Sequence, residues 1–413
     1  MDYAMAQPSS SAIDNKDGSP VTKAYIEDVM KEYEQNDTFM VKNMSSEKAL
    51  SFGDNCIAEV FRVKVDGEMT KDGKVVEMSK SVIVKKPFRD DKNTPPEMFK
   101  FESNVYNKVL DALESVIESK LPVIRSIKAE ENVVVTEDFK DGGWALSKRR
   151  EGLSQEQAAK VIKSLAMFHA ASIVLSKSDE IRFKKLSQHV QDQVYSLSNA
   201  ELCKKTLADS YAVAKNFADE YLPKANEEEA AVIRKFFSQT SDEMYNQAKK
   251  ATEETPDFAQ VFAHGDCWAN NFMLKEDNSG DHALLINLAT VCLASPARDL
   301  VYLFATNPQP VNKTALIQVY VSELHKNLSA HKIPNNIIEQ FSVEFIESEV
   351  KRLKMVALLT AMWLLVPISY TTYPTVEEYN KLERKDKPQL VAQHIDNEFY
   401  LRRLMEVLLE NVS

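Results

Sequence analysis

Asp266, Asn271 and Asn287 are the residues whose types and spacing point most directly to chemistry. Asp266 closes a His264-Gly265-Asp266 triplet that interrupts the apolar run Val261-Phe-Ala263, and Asn271 comes next in Cys267-Trp268-Ala-Asn270-Asn271-Phe-Met-Leu274. A second short apolar run, Leu284-Leu-Ile286, ends at Asn287 after the turn-forming stretch Lys275-Glu-Asp-Asn-Ser-Gly-Asp281. If the two runs pair as a hairpin with Ser279 near its tip, Asn271 and Asn287 face each other across its open end, with Asp266 one loop away. One carboxylate and two amide oxygens gathered in this way suit phosphoryl transfer, which needs a base for an attacking hydroxyl and oxygen ligands for Mg²⁺. Position 287 carries an amide where a carboxylate is the expected ligand.

A second pair lies upstream. Ala58-Glu-Val-Phe-Arg-Val-Lys-Val65 alternates as a strand and ends at Asp66-Gly67, and a partner run reaches Ser81-Val-Ile-Val-Lys85-Lys86-Pro87 after the turn at Lys71-Asp-Gly73. Thr94-Pro95-Pro96-Glu97 combines an N-cap, a first-turn Pro and a capping-box acid, so a helix starts there with Met98, Phe101, Val105 and Val109 on its buried stripe. Glu102 falls inside that stripe. A buried carboxylate needs a partner, and Lys85 at the end of the preceding strand is the candidate. A one-residue slip of the strand would offer Lys86 instead.

The elements that must position these groups can be taken in chain order. Val21–Glu34 has helical spacing, Phe39 to Lys86 reads as strands, and Pro122–Val135 reads as two more. Glu137-Asp-Phe-Lys-Asp-Gly-Gly143 breaks the pattern, and the chain beyond it is mainly helical. Helices are expected from the Ser154/Gln157 capping box to about His169–Ser172, then at 187–222, 226–252, 295–305, 312–329, 335–372, 375–384 and 388–411. The domain reading is a tail at 1–20, a β-rich lobe at 21–136 and a helical lobe at 137–413. The fold class is α+β, with a small antiparallel sheet and a large helical part.

Bulk properties bound the function. A chain of 413 residues with 44% hydrophobic content can bury a large core. A net charge of -11 and an isoelectric point near 5.3 argue against nucleic-acid or anionic-membrane partners. Cys56, Cys203, Cys267 and Cys292 lack pairing or metal-ligand spacing, which fits reduced thiols. The Ser- and Asp-rich start has no apolar segment of signal-peptide type and reads as a disordered tail. The apolar run Met355–Tyr370 contains Pro367 and is too short to span a bilayer. A soluble, cytoplasmic protein is expected. Oligomeric state is not legible.

His264-Gly-Asp266-Cys-Trp268-Ala-Asn270-Asn271, Ile286-Asn-Leu-Ala289 and Ser295-Pro-Ala-Arg-Asp299-Leu300 resemble the ecdysteroid-kinase-like (CHK-type) family, relatives of choline and aminoglycoside phosphotransferases. Leu165-Ala-Met-Phe-His169-Ala-Ala-Ser172, Phe101-Glu102-Ser-Asn-Val-Tyr106 and Glu137-Asp138-Phe139 are similar to further segments of that family. The resemblance implies a bilobal protein-kinase-like fold, ATP and Mg²⁺ as cofactors, and a hydroxylated small-molecule acceptor such as an ecdysteroid, another steroid or a xenobiotic. It implies Asp266 as the catalytic base, Asn271 and Asn287 as metal ligands, and Lys85, held by Glu102, on the α- and β-phosphates. Gly53 and Asn55 occupy the place of the phosphate-covering turn, and Glu137 and Phe139 that of the nucleotide-binding connector. His264 reads as a loop organiser and Asp299 as a buttress, while Trp268 either packs on the loop or lines the acceptor pocket.

One residue departs from the pattern. Relatives carry Asp at position 287, in an Asp-Phe-Gln-like triplet, and this chain has Asn-Leu-Ala. The twelve-residue interval from Asn287 to Asp299 matches the family, so the register is intact. Two readings therefore stand: an ATP-dependent O-phosphotransferase weakened at the metal, or an inactive pseudokinase that binds a nucleotide or an apolar ligand.

Overall fold

In the computed structural model, residues 21–49, 58–87, 97–196, 199–373 and 381–412 are described. The tail at 1–20, Gly53, Asn55, Cys56 and the Thr94-Pro95-Pro96 helix start lie outside them, as does most of the helix expected at 375–384. The chain divides into two compact units. One comprises residues up to Tyr106 with Ile124–Gly142, and the other Asn107–Val123 with Gly143 onward.

The first unit is an antiparallel five-stranded sheet packed with two helices. Strands β1 (Met40–Lys48), β2 (Ala58–Lys71), β3 (Lys74–Pro87), β4 (Ser126–Glu130) and β5 (Val133–Glu137) are ordered β1-β2-β3-β5-β4. Helix α1 (Lys23–Glu34), capped by Thr22, lays Tyr25, Ile26, Val29 and Met30 on the sheet's Val63, Val65, Val82, Val84, Val133 and Val135. The strand expected to end at Asp66-Gly67 continues to Lys71, because its pairing with β3 runs on to Lys71 opposite Lys74. A Cβ at Gly67 would come within 2.5 Å of the Phe39 ring. Helix α2 (Met98–Asn104) buries Met98, Phe99, Glu102 and Ser103 and leaves Phe101 only half-buried, which corrects the expected stripe. It runs through a π-helical turn, Val105–Val109, into α3 (Leu110–Ile117).

The second unit is helical around two small sheets. Its core is built on α4 (Gln155–Ser178), α6 (Ala200–Tyr221) and α13 (Lys354–Ser369), with the further helices α5 (Glu180–Ser187), α7 (Glu227–Phe236), α8 (Ser241–Glu253), α9 (Ala297–Thr306), α10 (Lys313–Ala330), α11 (Asn335–Ile338) and α12 (Val343–Arg352). Helices α14 (Lys387–His394) and α15 (Asn397–Val412) close the chain. Among the described residues α4 is the one single helix long and apolar enough to cross a membrane, and 83% of that stretch is buried inside the protein.

Several helix boundaries differ from expectation for local reasons. Helix α4 runs past Ser172 to Ser178, where Asp179 caps the next helix. The helix expected from 187 begins at Ala200, because the Asp192 carboxylate accepts from the Val194 and Tyr195 N–H groups and pairs with Arg298, which holds this stretch in a turn. The helix expected over 226–252 is cut by a second capping box, Thr240 with Glu243. That over 335–372 is three pieces, with Ser342 capping α12 and a 59° bend between α12 and α13. That over 388–411 breaks at Ile395, which bridges Tyr370.

Candidate active site

The catalytic-loop region is assembled by short strands that fold back on one another. Strand β7 (Val261–Ala263) leads into His264-Gly265-Asp266. Strands β8 (Phe272–Lys275) and β9 (Leu284–Leu285) pair as the expected hairpin, extended by β6 (Trp144–Leu146) on β8. A 3₁₀ turn at Leu288–Thr290 then returns the chain to β10 (Cys292–Ala294), which pairs antiparallel with β7. The return is tight. Gly265 sits at φ +83°, and a Cβ there would lie 2.2 Å from the Thr290 carbonyl oxygen, so any side chain meets both strain and a backbone clash.

Asp266, Asn271 and Asn287 form one hydrogen-bonded cluster. The Asn271 Nδ2 donates to the Asp266 carboxylate Oδ2 at 2.6 Å and to the Asp266 carbonyl at 2.7 Å. With its nitrogen so committed, Asn271 turns its Oδ1 to the Asn287 Nδ2, which donates at 3.2 Å. Asn287 holds a left-handed backbone, φ 62° and ψ 68°, a conformation that Asn and Asp tolerate better than other non-glycine residues. The other carboxylate oxygen of Asp266, Oδ1, accepts from the Tyr302 hydroxyl. Tyr302 was not legible as a site residue. Its one signal is its place three residues after Asp299, on the same face of α9.

A second layer holds the loop's backbone. The Asp299 carboxylate accepts from the His264 N–H at 2.7 Å and the Gly265 N–H at 2.9 Å. Its Oδ2 also meets His169 Nε2 at 3.1 Å, and His169 Nδ1 lies 2.9 Å from the Tyr320 hydroxyl. Burial alone would raise the Asp299 carboxyl, but the His169 hydrogen bond and charge, His264 and the Gly265 N–H outweigh it and hold it at about 2. His264 organises the loop from inside: its Nε2 reaches the Ile286 carbonyl at 2.8 Å and its Nδ1 accepts from the Asp266 N–H at 3.3 Å. Trp268 packs with Leu364, Ile368, Tyr302, Trp363 and Phe399, an apolar cluster that touches Asp266 through the Tyr302 hydroxyl. Asn270 is buried beside the loop.

In the first unit, Lys85 Nζ donates to Glu102 at 2.8 and 3.0 Å. Both are buried, Glu102 to 1% and Lys85 to 8% exposure, and the β2–β3 register that sets Lys85 opposite Val60 puts this lysine on the Glu102 side. Lys86 is buried too, but the hydrogen bonds to Glu102 come from Lys85. At the connector, the Glu137 carboxylate accepts from the Tyr33 hydroxyl at 2.7 Å, and Phe139 is half-buried. Asp138 is tied back by Arg62 at 2.5 Å and Ser81 at 2.7 Å.

Among the described residues, no cluster of three or more His, Cys, Asp and Glu side chains is arranged to hold a metal ion. The residues at this loop that could hold a cation are Asn271 and Asn287, whose amide oxygens are of the right kind for a hard cation such as Mg²⁺ but bring no charge of their own.

No curated protein matches the chain. Among solved structures it is similar to an ethanolamine kinase of Plasmodium vivax, at 12% identity and TM-score 0.42 over 93% of this chain and 87% of the other. It is also similar to an AMP-bound spectinomycin phosphotransferase, at 14% identity and TM-score 0.33 over 73% and 87%. A choline kinase of Streptococcus pneumoniae aligns at 12% identity and TM-score 0.34 over 92% and 99%. The sequence pattern of the Ecdysteroid kinase-like family matches residues 52–333, more than half of the chain. With that match this chain belongs to the ecdysteroid kinase-like family, and its architecture is a mixed α+β one with a small antiparallel sheet.

Proposed function

We propose that the protein transfers the γ-phosphoryl group of ATP to a hydroxyl of a small molecule, with Asp266 as base. The observation that carries this reading is the Asp266–Asn271–Asn287 cluster, built by the β7–β10 return in a member of a kinase-like family. The acceptor hydroxyl gives its proton to Asp266 while its oxygen bonds to the γ-phosphorus, and the bond from that phosphorus to the β-bridging oxygen breaks to release ADP. Within the first unit, Lys85, held by Glu102, is the lysine that the family resemblance assigns to nucleotide phosphates. Mg²⁺ carried on the nucleotide would be held by Asn271 and Asn287 and would neutralise phosphate charge. The apolar cluster of Trp268, Trp363, Leu364 and Phe399 next to the base favours an acceptor with an apolar body, a hydroxylated steroid or xenobiotic.

A second reading rests on one feature. Residue 287 is an amide, which brings no negative charge to a metal or nucleotide at this loop. This favours a protein that binds a nucleotide or an apolar ligand and does not turn it over. One assay separates the two: labelled γ-phosphate transfer from Mg·ATP to a panel of hydroxylated sterols and other alcohols, on wild type and Asp266→Asn. Turnover in wild type that is lost in the variant supports the transferase. Wild type without turnover, or equal rates in both, removes it.

A further inference from the structure

We infer that Tyr302 is a positioning residue for Asp266, its hydroxyl fixing the carboxylate so that one oxygen stays aimed for the acceptor. The inference rests on the phosphotransferase reading and adds to it a residue outside the catalytic loop. A base that takes a proton from a hydroxyl must present a lone pair in one direction, and an Asp side chain free to rotate presents it only part of the time.

Here the rotation is stopped from both sides. Asn271 Nδ2 holds Oδ2 at 2.6 Å, and the Tyr302 hydroxyl holds Oδ1. A carboxylate oxygen accepts two hydrogen bonds, so each keeps one position after these contacts. The Asn271 contact comes from the loop itself and moves with it. The Tyr302 contact comes from α9, a helix of ten residues that also carries Asp299. Asp299 holds the main chain of the loop through the N–H groups of His264 and Gly265. Tyr302 follows Asp299 at i+3, so both project from one face of the helix and meet the loop one turn apart. One rigid element thus sets both the loop backbone and the side chain of the base.

Tyr302 is itself locked. Its ring packs with Trp268, Leu364, Ile368, Trp363 and Phe399, so the hydroxyl cannot swing away without opening an apolar cluster. Burial, and then the Asp266 charge, push its phenol well above the ordinary range, so it stays a donor at any physiological pH.

The test compares wild type, Tyr302→Phe and a chain carrying p-aminophenylalanine at 302, which keeps the ring and puts a donor back at its para position. A hydrogen bond to a charged group is worth about 1.5–3 kcal/mol, or roughly a 10- to 100-fold change in rate. The expected result is a kcat lowered by that factor in Tyr302→Phe, with KM for ATP and acceptor within about twofold and partial recovery with p-aminophenylalanine. A kcat within about twofold of wild type overturns the inference and leaves the transferase reading standing. A fall in the thermal midpoint with rates lost in both altered chains assigns Tyr302 to packing alone and also overturns it. A second readout needs no turnover. The wild type should show a downfield, slowly exchanging hydroxyl proton by NMR that is absent from both Tyr302→Phe and Asp266→Ala, and its absence from wild type overturns the contact. Wild type with that proton but no phosphate transfer retains the contact and removes the transferase reading.

Discussion

At the scale of single residues, the site is built from groups that cannot afford to lose their partners. Lys85 and Glu102 are both buried, and breaking a buried ion pair of this kind by removing one partner costs about 3–5 kcal/mol. Glu102→Gln is therefore expected to lower the unfolding midpoint measured by calorimetry and to weaken the thermal shift produced by ATP. An unchanged midpoint would mean the pair is solvated. Asp299 gives a prediction in pH. Its carboxyl falls from 3.8 to about 2 on folding, so the folded state favours the ionised form. That stabilisation is full above about pH 4 and disappears as pH falls toward 2. Each tenfold change in proton affinity between the unfolded and folded chain corresponds to roughly 1.4 kcal/mol, so wild type should exceed Asp299→Asn in unfolding free energy by about 2 kcal/mol or more at neutral pH. Chemical denaturation at a series of pH values should show this difference shrinking across pH 4 to 2, and a constant difference would contradict it.

At the scale of elements, the β7–β10 return is what turns scattered residues into a cluster, and Gly265 is the point where it closes. Gly265→Ala must carry a side chain at φ +83° into the Thr290 carbonyl. The left-handed backbone alone costs about 1–2 kcal/mol, and the clash adds to it by pushing Asp266 away from Asn271. Thermal unfolding should show a lower midpoint, and phosphate transfer should fall further than the stability loss explains. How much of this was legible depends on how local the cause was. The hairpin could be read because the turn residues and the short apolar runs lie side by side in sequence. The split at Thr240 was also written locally, in a capping box masked by an otherwise continuous helical pattern. The turn around Asp192 was not, because it depends on Arg298, more than a hundred residues away. Tyr302 escaped for the same reason: its tie to Asp266 spans 36 residues, and the motif read on its helix stops at Leu300.

At the scale of the whole molecule, the family and its fold follow from ordered motifs, while activity rests on one departure from them. In the proposed site Asp266 and Asn271 would act as base and metal ligand, and an amide at 287 would offer a metal an oxygen without a charge. Losing one preorganised electrostatic group typically costs about 10²–10³ in rate, which would leave a slow enzyme instead of an inert one. Because Asn287 already holds a left-handed backbone that Asp also tolerates, Asn287→Asp changes the charge with little strain. The most direct measurement is therefore ATP affinity as a function of Mg²⁺ concentration, by calorimetry on wild type and Asn287→Asp. The variant should bind Mg·ATP more tightly, and its affinity should depend more steeply on Mg²⁺. Identical Mg²⁺ dependence in the two proteins would contradict a metal-facing Asn287.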